Sequence, residues 1–211
     1  MRLLSTALIA AAALAQSTVA PSTAKDPAKL SARDSHEGLL VAADPWMRPE
    51  DYKTRFGKKN PYESGIIAID AYFKNEEDLP VQVELFSITL TVAIPGQEQQ
   101  DLPSLSAHDV TAAVFNAGPL DPTQRRRRLP IPTGRSNSTK DFLELQEKLR
   151  SATLASDLVP PHGIVHGLFY FDLDGNFDWL GSSKFYVPNL KRMPTGKPLL
   201  FFEVPLSTAA R

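Results

Sequence analysis

GIVHGLFYFDLDGNFDWLGSSKFYV, residues 163–187, is the stretch whose reading decides the fold. Its first half alternates. Val165, Phe169, Phe171 and Leu173 fall on one side of an extended chain, with His166, Leu168, Tyr170 and Asp172 on the other. Period two with aromatic and β-branched residues is the pattern of a strand that presents one face to a core. Asp174-Gly175-Asn176 follows, and these residue types adopt left-handed backbone cheaply, so the acidic connection is a turn. A second strand completes the stretch.

The same periodicity recurs on both sides. Between Ser64 and Asn75, Ile67, Ile69, Ala71 and Phe73 alternate with the more mixed set Ile66, Ala68, Asp70, Tyr72 and Lys74. One wetter face points to an antiparallel sheet. From Val81 to Ile94 the apolar positions are odd up to Leu85 and even from Phe86. A slip of one residue exchanges the faces of a strand, so the chain here either bulges or passes from one sheet to another. Gly38–Ala43 and Leu199–Val204 read as further strands. Pro49, Glu50 and Asp51 open a short helix with Tyr52 and Phe56 on one face and Gly57 at its end. Ser106 and Asp109 form a short-acid capping box for a second helix, and Ser138 with Asp141 one for a third.

These elements predict a mainly β protein. We expect an antiparallel β-sandwich with a short N-terminal helical excursion and two helices inserted between the middle strands. The alternation in Ile66–Phe73, the run Gly167-Leu-Phe-Tyr-Phe-Asp172 and the closing apolar strand resemble exported bacterial proteins with immunoglobulin-like sandwiches of unknown role. The resemblance implies a fold and a location, and it carries over no active-site residue.

The N-terminus agrees with export. Arg2, the apolar run Leu3–Ala12 and Ala13-Leu14-Ala15 have the layout of a signal peptide over residues 1–20, cleaved after Ala15. The apolar run is shorter than the ~20 residues a membrane span needs. Residues 21–36 are expected to be a flexible leader. One domain is expected over 37–206, with its helical insertion at about 104–156, and residues 207–211 as a tail. The chain has 211 residues, no cysteine and a formal charge of −1. Absent cysteine excludes thiol nucleophiles, disulfides and zinc ribbons. A near-neutral charge gives no bulk attraction to nucleic acid.

Asp172, Asp174, Asn176 and Asp178 stand two residues apart, as oxygen ligands do in an acidic calcium loop. Calcium is the one cofactor this spacing suggests. The loop departs from an EF-hand, with Phe177 where glycine is required and Ser183 where a bidentate glutamate belongs. The competing reading is a plain turn. His162 and His166 lie about 13 Å apart on a strand, and a zinc site would need the chain to turn back and a third ligand, Asp172 or His36. Arg125, Arg126, Arg127 and Arg128 could grip a carboxylate- or phosphate-rich partner. Trp46 and Trp179 could contribute to a recognition patch, or plug the ends of a sandwich. No nucleophile-elbow or phosphate-loop motif occurs. The expected function is therefore a non-catalytic exported module binding a protein or glycan in the cell envelope. The alternative is a secreted hydrolase or carbohydrate-active enzyme using carboxylates near 172–178.

Overall fold

The computed structural model describes residues 25–93, 96, 98–116 and 136–209. The expected signal peptide, the start of the leader and Arg125–Arg128 lie outside the described residues.

Hairpin β1 (Arg33–His36) and β2 (Leu39–Pro45) comes first. Glu37 (φ 48°) and Gly38 (φ 71°) both take left-handed backbone at its two-residue turn, the geometry a tight hairpin demands. β1 thus falls inside the stretch expected to be a flexible leader. Its four residues are polar and lie at an edge, so no apolar alternation marks them. Helix α1 (Pro49–Phe56) leads to β3 (Ile66–Asn75). β4 (Val81–Val83) and β5 (Thr89–Val92) flank a 3-10 turn at Leu85–Ser87, and β6 (Gln100–Pro103) follows. Helices α2 (Ala107–Asn116) and α3 (Ser136–Ala152) come next. Then β7 (Leu158–Val159) precedes β8 (Ile164–Asp172). After a 3-10 segment at Phe177–Ser182 the chain closes with β9 (Ser183–Val187), β10 (Leu190–Arg192), β11 (Lys197–Pro198) and β12 (Phe202–Pro205).

The described residues form a mainly β structure of three antiparallel four-stranded sheets with a few helices. Strand orders are β1-β2-β3-β8, β11-β10-β4-β7 and β12-β9-β5-β6. All three feed one core. Phe73, Phe169 and Phe171 come from the first sheet, Val81, Val83 and Val159 from the second, and Leu90, Phe185 and Phe202 from the third. Burying each such side chain is worth about 1.5–3 kcal/mol. The phase slip after Leu85 is a passage between sheets, since β4 pairs in the second sheet and β5 in the third. The apolar run of even positions begins at Ile88, because Phe86 points outward at the crossing.

One expectation about the first sheet fails. The face of β3 opposite the core is not wet: every residue of the strand except Lys74 is buried. Ile66, Ala68, Leu168 and Tyr170 on that face meet Tyr52 and Phe56 of α1, Val110 and Val114 of α2, and Leu145, Leu149 and Ala152 of α3. The helices need an apolar partner for their inner stripes, and this face of the sheet provides it. Tyr52 also completes the sheet where β2 ends. Its hydroxyl accepts the Ala68 N–H (2.7 Å) and donates to the Trp46 carbonyl (3.0 Å). At the start of α2 the Ser106 hydroxyl accepts the Asp109 N–H at 3.2 Å and donates to the Asp109 carboxylate at 2.6 Å. α3 begins at Ser136, upstream of the cap expected at Ser138.

Candidate functional site

The helices cover only part of that outer face. Beyond them β3 carries Asp70 and Tyr72, buried side chains of which one is a carboxylate only 7% exposed. Strand register builds the surroundings. Asp70 lies opposite Asp44 on β2, and Tyr72 lies opposite His166 on β8. The Tyr72 hydroxyl donates to Asp70 Oδ2 at 2.8 Å, while His166 Nδ1 is 3.2 Å from Asp70 Oδ1. The imidazole stacks on the Tyr72 ring, with centroids 4.9 Å apart and planes within 6°. From the N-terminal side, Lys25 places its ammonium on Asp44.

Burial raises the Asp70 carboxyl above its ordinary value of 3.8, against the hydrogen bonds from Tyr72 and His166. Burial, with the Asp70 charge added, also pushes the Tyr72 hydroxyl upward. Tyr72 therefore stays protonated and donates; it is no nucleophile at neutral pH. His166 has one ring nitrogen fixed in orientation by the Asp70 carboxylate.

The shift of Asp70 has a sign that can be tested. The folded state holds this proton more tightly than the unfolded chain does. Stability linked to Asp70 is thus fully present below the ordinary carboxylate value and is lost as pH rises through the raised one. Asp70→Asn keeps an acceptor for Tyr72 and removes the buried charge. In urea unfolding the variant should be more stable than wild type near pH 7, with the difference shrinking toward about pH 4. An equal difference at both pH values would contradict the assignment.

The acidic connection is occupied with building a turn. Asp174 (φ 53°) and Gly175 (φ 78°) are both left-handed. Asn176 N–H donates to the Leu173 carbonyl at 2.9 Å, which closes the turn. Asp172 Oδ1 accepts the Asp174 N–H at 2.9 Å, and the Asn176 amide donates to the carbonyls of Leu173 (3.2 Å) and Asp174 (3.4 Å). Asp172, Asp174, Asn176 and Asp178 are all exposed. Among the described residues no three His, Asp or Glu side chains are grouped to hold a metal ion. The histidines go to separate places. His162 Nε2 sits 2.8 Å from Asp78 Oδ1 at the surface, His166 joins Asp70, and His36 stacks on Phe202 at 3.8 Å.

The tryptophans belong to different packing layers. Trp46 lies edge-on to Tyr52 at 5.6 Å under the helices, and Trp179 packs half-buried against the main core. A different apolar surface emerges at the β9–β10 connection. Phe86 is 81% exposed, Leu200 64% and Phe201 49%. Backbone hydrogen bonds from Glu84 to Asn189 (3.0 Å) and from Leu199 to Leu190 (3.0 Å) bring segments 84–86 and 199–201 to opposite sides of Pro188–Asn189. The Phe201 ring meets Tyr186 at 5.6 Å. Phe86 was legible as the residue where the strand pattern slips, but a lone apolar residue after a strand break reads as core. Leu200 and Phe201 sit in a run apolar on both faces, which reads as an internal strand.

No family model matches this chain, and no curated protein matches it. Among solved structures, one similar chain is described as a functionally unknown protein from Listeria monocytogenes EGD-e. It shares 15% identity and a TM-score of 0.33, over 74% of this chain and 68% of that one. Among the described residues no helix is long and apolar enough to cross a membrane.

Proposed function

We propose that this protein is an exported, non-catalytic binding module of the cell envelope, built on an immunoglobulin-like sandwich. Support for the sandwich is the core shared by the first and third sheets. The observation that carries the function is the exposed apolar pair Leu200 and Phe201 on one flank of Pro188–Asn189, with the exposed Phe86 on the other. Large apolar side chains left exposed side by side, as the adjacent Leu200 and Phe201 are with the Tyr186 ring against Phe201, are a usual mark of a partner site. Aromatic residues dominate such contacts because they bury much area for little lost rotamer freedom. The partner this surface suits is a protein or glycan with an apolar face, engaged through side chains.

The strand edges argue for the same mode. β1 lies against β12, and the Leu105 N–H donates to the Tyr170 carbonyl at 2.8 Å beside β8. Each edge of the first sheet thus has a neighbouring segment, which leaves less room for strand addition there. The test is affinity capture from envelope and medium fractions of the source cells. Immobilised wild type is compared with a Phe86→Ser/Leu200→Ser/Phe201→Ser variant.

A further inference from the structure

We propose that Glu37 is the positioning residue of the exposed apolar pair Leu200 and Phe201: its carboxylate holds segment 199–201 in place and so keeps the two side chains presented to a partner. The purpose given to this contact rests on the binding role proposed above; the contact itself does not. Segment 199–201 lies between β11 and β12, outside both of their ladders. Its backbone is pinned from two sides. The Leu199 N–H donates to the Leu190 carbonyl at 3.0 Å, and the Leu200 N–H donates to Glu37 Oε2 at 2.6 Å. The first acceptor belongs to the neighbouring β10, the second to a turn 163 residues away along the chain. A carboxylate is also the stronger kind of acceptor for a backbone N–H.

The turn that carries Glu37 is built against local preference. Glu37 takes φ 48° and Gly38 φ 71°. A two-residue hairpin turn with both φ values positive favours asparagine, aspartate or glycine at its first position, and glutamate there is disfavoured. Backbone conformation therefore gives no reason for a glutamate at this place, whereas the reach of its side chain to Leu200 does. The surroundings hold the carboxylate on its target. The Arg192 guanidinium donates to the Glu37 carbonyl, and the His36 ring stacks on Phe202 at 3.8 Å with planes within 9°. The turn is thus tied to β10 and to β12, on either side of the segment it anchors. Apolar side chains on an untethered loop can fold down onto nearby apolar surface, and ordering them on contact costs affinity. A segment fixed before contact avoids that cost.

Exchange of the Leu200 amide in the full chain, followed by NMR and referenced to the Leu199 amide, tests the anchoring. Glu37→Asn suits the turn but is one methylene shorter and leaves the Leu200 N–H unmet. It should keep the fold and the urea midpoint of wild type, while its Leu200 amide exchanges at least about fivefold faster, as loss of a hydrogen bond to a charged group allows. Glu37→Gln keeps the length and a carbonyl acceptor, and should retain most of the protection. In the affinity capture described above, species that depend on Phe86, Leu200 and Phe201 should be recovered severalfold less by Glu37→Asn than by Glu37→Gln. Equal Leu200 exchange in wild type and Glu37→Asn would overturn the anchoring whether or not a partner is found. Faster exchange with undiminished recovery would overturn its part in binding. The expected exchange with no species captured by wild type would support the anchoring and contradict the binding role instead.

Discussion

Phe169→Ala should lower the unfolding free energy by about 3–5 kcal/mol, the usual cost of emptying a buried aromatic site. Phe169 is 4% exposed and meets the Phe185 ring at 5.6 Å in an edge-to-face arrangement. It lies opposite Ile69 on β3, so the ring joins the first sheet to the third. Alanine leaves a cavity between two sheets that are each held by their own hydrogen-bond ladders, and neither sheet can collapse into it freely. Urea titration at neutral pH measures the change. A loss under about 1 kcal/mol would mean that this face of β8 is not core.

Gly167→Ala should cost about 3 kcal/mol or more, although it adds a single methyl group. A Cβ at this position would stand 2.4 Å from the Leu154 nitrogen and 2.5 Å from its Cα. Those atoms are backbone and have no rotamer by which to escape. Thr153 bridges Leu168 at this crossing, and Leu154 inserts into the main core. Here the chain leaving α3 on the helical side passes β8 to reach the opposite face. Adding a side chain therefore strains both layers. Gly181→Ala is the control, because an added Cβ there meets nothing within 4 Å. It should change stability by less than about 0.5 kcal/mol. Equal effects at the two glycines would contradict the close approach.

Strand periodicity carried much of this architecture because period two is a property of the backbone itself. The alternation in β3 and β8 identified Phe73, Phe169 and Phe171 as core, and the slip after Leu85 located the passage between sheets. The other face of the first sheet was less legible. Ala68, Asp70 and Tyr72 look mixed along the chain, and only the helices over Ala68 and Leu30 against Tyr72 make that face buried. The Asp70–Tyr72–His166 network has the same origin. Asp70 and His166 are 96 residues apart, and only the β3–β8 register brings them together. Asp172 and Asn176 take part in a turn that closes on its own backbone, a role their spacing along the chain also allowed.

β1 and the exposed Leu200 and Phe201 escaped for separate reasons. An edge strand of Arg33-Asp34-Ser35-His36 has no apolar face to report, and it is fixed by its ladder to β2 and by the neighbouring β12. Leu200 and Phe201 follow the buried Leu199 and precede the buried Phe202. Hydrophobicity along the chain therefore rises where exposure also rises, so the exposed apolar surface could be recognised only in three dimensions.

Recovery of a partner by the wild type and by the Phe86→Ser/Leu200→Ser/Phe201→Ser variant is the measurement that bears most directly on the binding role. All three side chains are largely exposed, so the variant should keep its fold, with a stability change of about 0.5 kcal/mol per site or less. The account predicts a discrete species captured in stoichiometric amount by wild type and reduced at least about tenfold by the folded variant, as expected when central apolar contacts are removed. Equal recovery by both proteins, or no species captured by either, would contradict it.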